Sequence, residues 1–574
     1  MSQVKFVSDP DKAVYDSFCG FHKLFPAYTV DAERRIVVSN KIVKDKVCIV
    51  SGGGSGHEPN SAGYVGQGML SAAVGGLIFA SPPSSTIFAA IRTLAEQNNN
   101  AGVLVLLMNY TGDVLNFGLA IEEAKTLGIK VESVAMEDDC SIPRNEVQGA
   151  GRRGMTGTVV AMKIIGHLAR AGKNLSELVQ EFNTLKENVA SFGCAVSPCT
   201  VPGVGPLFKL GSDEVEIGIG IHGEAGVQRI QRPPIDDLLE IILKRILEDL
   251  KLQSDSRVCV FLNNAGATSQ LELSIIIGKI HSHLTNKNIT VERMYCGDFI
   301  TSLDMAGFQI CILNLTQHPA WLECLDSSTD APAWPGTDLN VPSETPQNSI
   351  SISDEEHHGF DKTGPKFTQE QIKLFEKCLN AIASALIKEE SRINELDTLS
   401  GDGDAGSTLK RFADALQKQL PKLNLEYPAA SLYQMSKLCQ NEMGGSSGGI
   451  YGIFLTSAAK SVASSSSLDV SAAWKSAIET VSLYSKAKIG DRTMMDVIIP
   501  CYEEFNSQIK QNKDLKSVME QVVKIAKAKC EETRHMKPRL GRASYVPSEY
   551  IKDVDPGAYG VMLWLEVILN VIKS

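Results

Sequence analysis

Residues 341–366, VPSETPQNSISISDEEHHGFDKTGPK, divide this chain into two parts of different character. Pro, Ser, Asp and Glu predominate there and the apolar content falls, so the stretch lacks the means to bury a core and reads as a flexible linker. A joint at this point would let two independent units close on each other.

Upstream of it, short apolar runs end in turn residues. Val47-Cys48-Ile49-Val50 runs into glycines, and Val103-Leu104-Val105-Leu106-Leu107-Met108 runs into Asn109-Tyr110-Thr111-Gly112-Asp113. Such runs suit buried parallel strands, and Ser85 to Ala95 and Phe117 to Leu127 have helical spacing beside them. The reading is an α/β layer fold over residues 1–190. A second α/β unit is expected over 191–340, where Val258 to Leu262 precedes Asn263-Asn264-Ala265-Gly266 and a further strand-like run covers Gln309 to Leu315. In both, ligands are expected where strand ends meet glycine-rich turns.

Downstream, over 367–574, the spacing is helical nearly throughout. Ile372, Phe375, Leu379, Ile382 and Leu386 form one stripe, and Val561, Leu565, Ile568 and Ile572 another. Polar loops separate roughly eight such segments, the pattern of an all-helical bundle.

The whole chain agrees with this division. At 574 residues it is too long for one hydrophobic core, and 43% apolar with 21% charged residues suits a globular protein. A net charge of −11 without a dense Lys/Arg run gives no basic field for nucleic acid. No secretion signal and no apolar run of membrane length is evident, so a cytoplasmic protein with neither nucleic acid nor membrane as partner is expected. The 13 cysteines lack metal-finger spacing and read as small buried hydrophobes.

The sharpest chemical signal is Asp397-Thr-Leu-Ser-Gly-Asp402-Gly403-Asp404-Ala405-Gly406-Ser407-Thr408. Its three carboxylates are separated by glycines that let the backbone bend so that all three converge, and hard cations such as Mg²⁺ take oxygen ligands shared with substrate phosphates. Solvent-facing carboxylates are the plainer alternative.

A second cluster, Met443-Gly444-Gly445-Ser446-Ser447-Gly448-Gly449, opens a helical run and presents N–H groups and hydroxyls to an anion. It is not a P-loop, because no Lys follows the last glycine, and close helix packing would explain it equally. Two polar islands complete this half, Gly490-Asp491-Arg492-Thr493-Met494-Met495-Asp496 and Asp553-Val-Asp555-Pro556-Gly557-Ala558. Asp491 is a candidate N-cap, Asp555 looks like a cap with Pro556 at the first helical position, and Arg492 suits either a phosphate or an ion pair.

In the front half, Gly52-Gly53-Gly54-Ser55-Gly56-His57-Glu58-Pro59 follows the first apolar run and allows a small polar ligand to approach the backbone. It is not GxGxxG, so no dinucleotide site is read there. Asp113 could accept a hydroxyl proton or cap a helix. His222, in Gly218-Ile-Gly220-Ile221-His222-Gly223-Glu224-Ala225-Gly226, carries an imidazole able to attack a carbonyl, with a structural histidine as the alternative.

Taken together, GGGSGHEP at 52–59, NYTGD at 109–113, GIHGEAG at 220–226, GDGDAG at 401–406, MGGSSG at 443–448 and GDRTM at 490–494 resemble the single-chain dihydroxyacetone kinase family, including its animal triokinase/FMN cyclase type. The resemblance covers nearly the whole chain. It implies a two-part α/β DhaK-like substrate region, an eight-helix DhaL-like barrel, and a homodimer through the front half. His222 matches the histidine that forms a hemiaminal with the substrate carbonyl. Gly54, Ser55, Gly56, His57 and Asp113 match the sugar site, with Asp113 as hydroxyl base and His57 assisting orientation.

The resemblance also implies that Asp397, Asp402 and Asp404 hold Mg²⁺ on ATP. Asp404, Ala405, Gly406, Ser407, Ser446, Ser447, Gly490, Arg492, Asp555, Pro556 and Gly557 then surround the nucleotide. The implied reaction phosphorylates dihydroxyacetone and glyceraldehyde, and the animal type adds cleavage of FAD, with Mn²⁺ or Co²⁺, to AMP and cyclic FMN. A non-catalytic sugar sensor or partner-regulating protein is the alternative from another class. The retained acidic residues and His222 speak against it.

Overall fold

The computed structural model describes residues 5–7, 9–146, 151–224, 226–335, 360–398, 403–443, 445–540 and 552–574. Most of the linker expected at 341–366 lies outside the described residues, as does Asp402. The chain splits into two compact units, Met1–Ser349 and Ile350–Ser574. No helix among the described residues is long and apolar enough to cross a membrane.

The first unit contains two six-stranded sheets. The first is built from β1 (Tyr28–Asp31), β2 (Ile36–Ser39), β3 (Cys48–Ser55), β4 (Ala72–Ile78), β5 (Val103–Met108) and β6 (Val131–Met136). Its order is β1-β2-β4-β3-β5-β6, with β4, β3, β5 and β6 parallel. All six residues of β5 are buried, which is why its sequence is a continuous apolar run without alternation. Helices α1 (Ala13–Leu24), α2 (Ser84–Gln97) and α3 (Thr111–Thr126) accompany this sheet. From the central β3 the chain goes to β4 on one side and returns through α2 to β5 on the other. The carboxyl ends of β3 and β5 therefore open a crevice at a switch point.

Helices α4 (Gly157–Ala171) and α5 (Leu175–Lys186) lead into the second sheet. Its strands are β7 (Val189–Ala195), β10 (Glu214–Ile217), β11 (Gln228–Gln231), β12 (Arg257–Asn264), β13 (Thr290–Gly297) and β14 (Gly307–Asn314), and a small ribbon, β8 (Thr200–Val201) and β9 (Gly205–Pro206), lies between β7 and β10 in sequence. The order is β11-β10-β7-β14-β12-β13, with β12 and β13 parallel and the other pairings antiparallel. Helices α6 (Ile235–Asp249), α7 (Gln270–Thr285) and α8 (Trp321–Asp326) complete the unit.

The two sheets share one core. Met162 and Ile165 of α4 pack in a single cluster with Leu104 of β5 and with Phe261 and Leu313 of the second sheet. A helix apolar all round is one enclosed on both faces, and α4 even buries Lys163, whose ammonium donates to Cys324 O at 2.6 Å and Ser327 O at 2.7 Å.

The second unit consists of α9 (Gln369–Lys388), α10 (Glu390–Thr398), α11 (Ala405–Gln419), α12 (Pro428–Leu438), α13 (Gly445–Ala463), α14 (Val470–Ser485), α15 (Met495–Lys510), α16 (Leu515–Glu532) and α17 (Pro556–Lys573). From α11 to α17 each helix packs on the next, and α9 packs on both α11 and α17. Leu379 and Leu386 of the α9 stripe enter one core cluster, while Val561 and Leu565 of the α17 stripe enter another.

Candidate active site

At the crevice, β3 runs out into Gly56 and His57. Gly54 is needed because a Cβ there would lie 2.8 Å from Ala80 N, and Gly56 because its φ is +98°. The loop is pinned by the segment after β13. Thr301 N–H donates to His57 O at 3.2 Å, Leu303 N–H to Gly56 O at 2.9 Å, and the Thr301 hydroxyl to Glu58 O at 2.8 Å. Asn263 at the end of β12 holds that segment in turn, accepting from Phe299 N–H at 2.8 Å and Ile300 N–H at 3.0 Å.

The His57 ring is wholly buried, with Nδ1 2.9 Å from Thr301 O. A carbonyl can only accept, so Nδ1 carries the proton and Nε2 keeps its lone pair. Nε2 has no hydrogen-bond partner among the described residues. Burial, followed by the neighbouring His222, holds His57 down to about 3, so the ring is neutral.

His222 lies in the loop between β10 and β11. Its ring centroid is 4.8 Å from that of His57, 5.4 Å from Phe79 and 4.5 Å from Tyr110, edge-on in each case. Burial and then the Arg153 guanidinium push His222 down to about 4, so this imidazole too is neutral. A neutral ring among aromatic edges keeps a free nitrogen lone pair.

Asp113 stands in the first turn of α3, two residues after the helix opens, and Tyr110 takes the N-cap position. The expected capping role is thus not the one it fills. The carboxyl is 5% exposed and Oδ1 has no partner among the described residues. Burial raises it to about 6 against the pull of the Ser81 hydroxyl. A Cβ on Gly53 would lie 3.7 and 3.8 Å from its two oxygens, so the glycine loop faces this carboxyl directly. Ser55, by contrast, donates its hydroxyl to Gly76 O at 2.8 Å, and its carbonyl accepts from Phe79 N–H at 2.9 Å.

Phe79, Ser81, Tyr110, Arg153 and Glu224 complete the surroundings and were not singled out from sequence. Phe79-Ala80-Ser81 follows β4, which runs parallel to β3, so its arrival at the same sheet edge is the signal that could have found it. Behind the glycine loop, a cavity of about 230 Å³ is bounded by Gly53–Ser55 on one side and Phe18, Phe21 and Phe25 on the other. His57, Asp113 and His222 do not line it.

In the second unit, Asp397 lies in the last turn of α10 and reaches the start of α11. Its Oδ2 accepts from the N–H groups of Gly403, Asp404 and Ala405 at 3.0, 3.1 and 3.3 Å. Asp404 is exposed at the N-cap position of α11 and makes no capping bond, so its carboxylate stays available. Gly406 serves close packing, since a Cβ there would lie 2.1 Å from Glu390 O. The Ser407 hydroxyl is engaged by Asn394 at 3.0 Å and Glu390 at 3.1 Å. Ser446 is exposed and Ser447 half-buried in the first turn of α13, after a π-helical turn at Cys439–Met443. Gly444 lies outside the described residues.

The two polar islands meet. Arg492 is 2% exposed with φ +60°, and its Nη2 donates to Asp553 O at 2.9 Å while Nη1 lies 3.8 Å from Asp555 Oδ2. Its Nε and Nη1 have no hydrogen-bond partner among the described residues. Asp555 caps α17 through Ala558 N–H at 2.8 Å, with Pro556 at the first helical position beside Gly557, and burial raises its carboxyl to about 6. Asp491 is not an N-cap. Met494 holds that position in α15, and Asp491 Oδ2 instead accepts from Lys488 N–H at 3.0 Å. Gly490 and Thr493 are tied to the buried Asp496, the latter through N–H at 2.7 Å. Arg392, on the helix that carries Asp397, donates to Asp553 at 2.9 Å, so the islands and the acidic turn sit at one end of the bundle.

Among the described residues no three His, Cys, Asp or Glu side chains form a metal-holding group, and Asp402 lies outside them. What is present fits a hard cation carried on a phosphate: an exposed, uncommitted carboxylate offers the cation oxygen, and the helix N-terminus beside it suits the anion.

Residues 19–333 match the Dak1 domain and residues 400–570 the DAK2 domain. The triokinase/FMN cyclase of Rattus norvegicus is 37% identical over 586 residues, covering 100% of both chains. Dihydroxyacetone kinase 1 of Saccharomyces cerevisiae is 33% identical over 99% of both. The crystal structure of the dihydroxyacetone kinase from C. freundii in complex with AMP-PNP and Mg²⁺ matches with a TM-score of 0.67 at 28% identity, covering 99% of this chain and 100% of that one.

Proposed function

Because the chain belongs to the single-chain dihydroxyacetone kinase family and is closely related to the animal triokinase/FMN cyclases, we propose that it phosphorylates dihydroxyacetone and glyceraldehyde with ATP. The observation that carries this reading is the pair of neutral, ring-to-ring histidines, His57 and His222, beside the buried carboxyl of Asp113.

A neutral imidazole nitrogen of His222 adds to the sugar carbonyl, forming a C–N bond as the C=O π bond opens, and the proton the ring gives up ends on the former carbonyl oxygen. The resulting hemiaminal fixes a short sugar that few contacts would otherwise hold, and glycerol, lacking a carbonyl, is rejected. The His57 lone pair at Nε2 accepts from a substrate hydroxyl and orients it. Asp113, ionised above about pH 6, accepts the proton of the hydroxyl that attacks phosphorus. The backbones of Gly54, Ser55 and Gly56 line the sugar.

On the nucleotide side, Asp397, Asp402 and Asp404 would hold Mg²⁺, which neutralises charge on the phosphates. Asp404 through Ser407, Ser446, Ser447, Gly490, Arg492 and Asp555 through Gly557 would surround ATP. Arg492, with unpaired N–H groups, suits a phosphate. We read the second unit as an eight-helix barrel with α9 and α10 as one bent member. The circular succession of helix pairings and the single residue between those two helices support this. The DhaK-like region is read as two sheet-centred parts, 1–190 and 191–340, and as the dimerisation surface.

A second activity is favoured by the full-length identity of 36–37% to proteins named triokinase/FMN cyclase. A ribityl hydroxyl of FAD would attack the neighbouring phosphorus, expelling AMP and leaving cyclic FMN, with Mn²⁺ or Co²⁺ as the metal. One preparation incubated with ATP plus each triose, and separately with FAD and Mn²⁺, tests both. Absence of triose phosphates, or of AMP with cyclic FMN, rejects the respective activity. A non-catalytic sensor would bind sugar without forming either product set.

A further inference from the structure

We propose that Arg153 and Glu224 are positioning residues that hold the His222 loop in the geometry needed for attack on the substrate carbonyl. The inference rests on the proposed covalent role of His222. It adds two residues that act through the backbone of the His222 loop.

The loop from 218 to 226 needs an external brace. It contains four glycines, and Gly218 and Gly223 adopt φ of +69° and +72°, so its own sequence resists no particular shape. Its backbone is tied at the two ends, by Gly218 N–H to Gly193 O at 2.7 Å and Val227 N–H to Ile217 O at 2.9 Å. A nucleophile on such a loop would lose much of the advantage of a fixed approach to its carbonyl.

Glu224 and Arg153 supply what the loop lacks. Glu224 folds back so that one oxygen accepts the His222 backbone N–H at 2.8 Å and the other accepts from Arg153 Nη1 at 3.0 Å. Arg153 reaches the base of the same loop by donating Nη2 to Gly218 O at 2.7 Å. It is itself anchored from outside, because Nε donates at 2.7 Å to Asp139, a fully buried carboxylate in the segment that bridges the two sheets at β7. One rigid guanidinium fork thus ties the beginning of the loop, its glutamate and the protein core together. Gly220 confirms how closely the pair fills this space: a Cβ there would lie 1.7 Å from Glu224 Oε1 and 2.8 Å from Arg153 Nη1.

The same arrangement sets charge. The groups facing His222 are His57, Tyr110, Arg153 and Glu224, with Asp139 behind Arg153. Of these the cation opposes protonation of His222, keeping the ring nucleophilic as the medium becomes acid.

The test uses the full chain, carbonyl-¹³C dihydroxyacetone and three variants, Arg153→Met, Glu224→Gln and His222→Ala. Conversion of the carbonyl resonance to that of a tetrahedral carbon reports the hemiaminal without turnover, and the unfolding midpoint reports integrity. In the parent protein the adduct is expected from pH 5 to 8. In Arg153→Met it is expected to weaken at least tenfold at pH 8 and to disappear at a pH about one unit higher than in the parent, because the opposing cation is gone. Glu224→Gln, which preserves volume and an acceptor for the His222 N–H, is expected to raise KM for dihydroxyacetone several-fold with kcat at saturating sugar within about twofold.

An adduct in the parent that persists in folded Arg153→Met and Glu224→Gln with unchanged strength and pH limit overturns the positioning role. No adduct in the parent, or one retained by His222→Ala, overturns instead the covalent reading on which it stands. Should Arg153→Met unfold, Glu224→Gln decides the matter alone.

Discussion

Replacing Asp113 by Asn should make the protein more stable and less active. The carboxyl sits at about 6 where an ordinary aspartate has 3.8, and burial is the main cause. At about 1.4 kcal/mol per pH unit, that gap costs the folded state ~3 kcal/mol once the group is ionised. Because the folded value is the raised one, the stability the protonated acid confers is complete below pH 3.8 and is lost as pH rises through about 6. Asn removes the charge but brings a buried N–H pair, and one unpaired donor returns roughly 1 kcal/mol. The net gain at pH 8 is therefore about 2 kcal/mol, which for a unit of this length is an unfolding midpoint higher by roughly 2–3 °C, shrinking as pH falls toward 5.

Activity should move the other way. With the base gone, kcat should fall roughly 10²- to 10⁴-fold, and in the parent kcat/KM should decline tenfold per pH unit below about 6. Thermal unfolding of both proteins at pH 5, 6, 7 and 8, beside initial rates with dihydroxyacetone, decides it. An Asn variant less stable than the parent at pH 8 would mean that Asp113 is a structural helix residue, and the account of the base would be lost with it.

Three further outcomes are expected. Asp404→Asn, at an exposed position that makes no capping bond, should leave the unfolding midpoint within about 1 °C while weakening Mg²⁺-dependent ATP binding at least tenfold by calorimetry. Asp496→Ala should destabilise the second unit by about 2–4 kcal/mol in urea, since the carboxylate is 1% exposed and holds the N–H groups of both Gly490 and Thr493. Of the 13 free cysteines, 11 are buried, so a thiol reagent should modify Cys296 at once and Cys19 slowly, and the remainder after denaturation.

How far the sequence could be read depended on how local the determining interactions are. The apolar runs at Val47–Val50 and Val103–Met108 became strands, and the stripes at 372–386 and 561–572 became helices. Strand burial and helix spacing are written in neighbouring residues, and glycines that permit a positive φ act on their own backbone. Asp555 followed by Pro556 likewise announced a capped helix start, because a cap is made within three residues.

Tertiary structure alone decided what these groups do. His57 finds its carbonyl partner 244 positions away at Thr301, and only there does its tautomer become fixed. The same holds for the contact of His57 with His222, the burial that lifts Asp113, and the Arg153 brace reaching Glu224, 71 positions along the chain. It also withdrew groups that looked available, tying the Ser55 hydroxyl to Gly76, the Ser407 hydroxyl to α10 and one Asp397 oxygen to the start of α11. Protonation and reactivity depend on desolvation and on charges within a few ångströms, and those neighbours are brought by packing from remote parts of the chain.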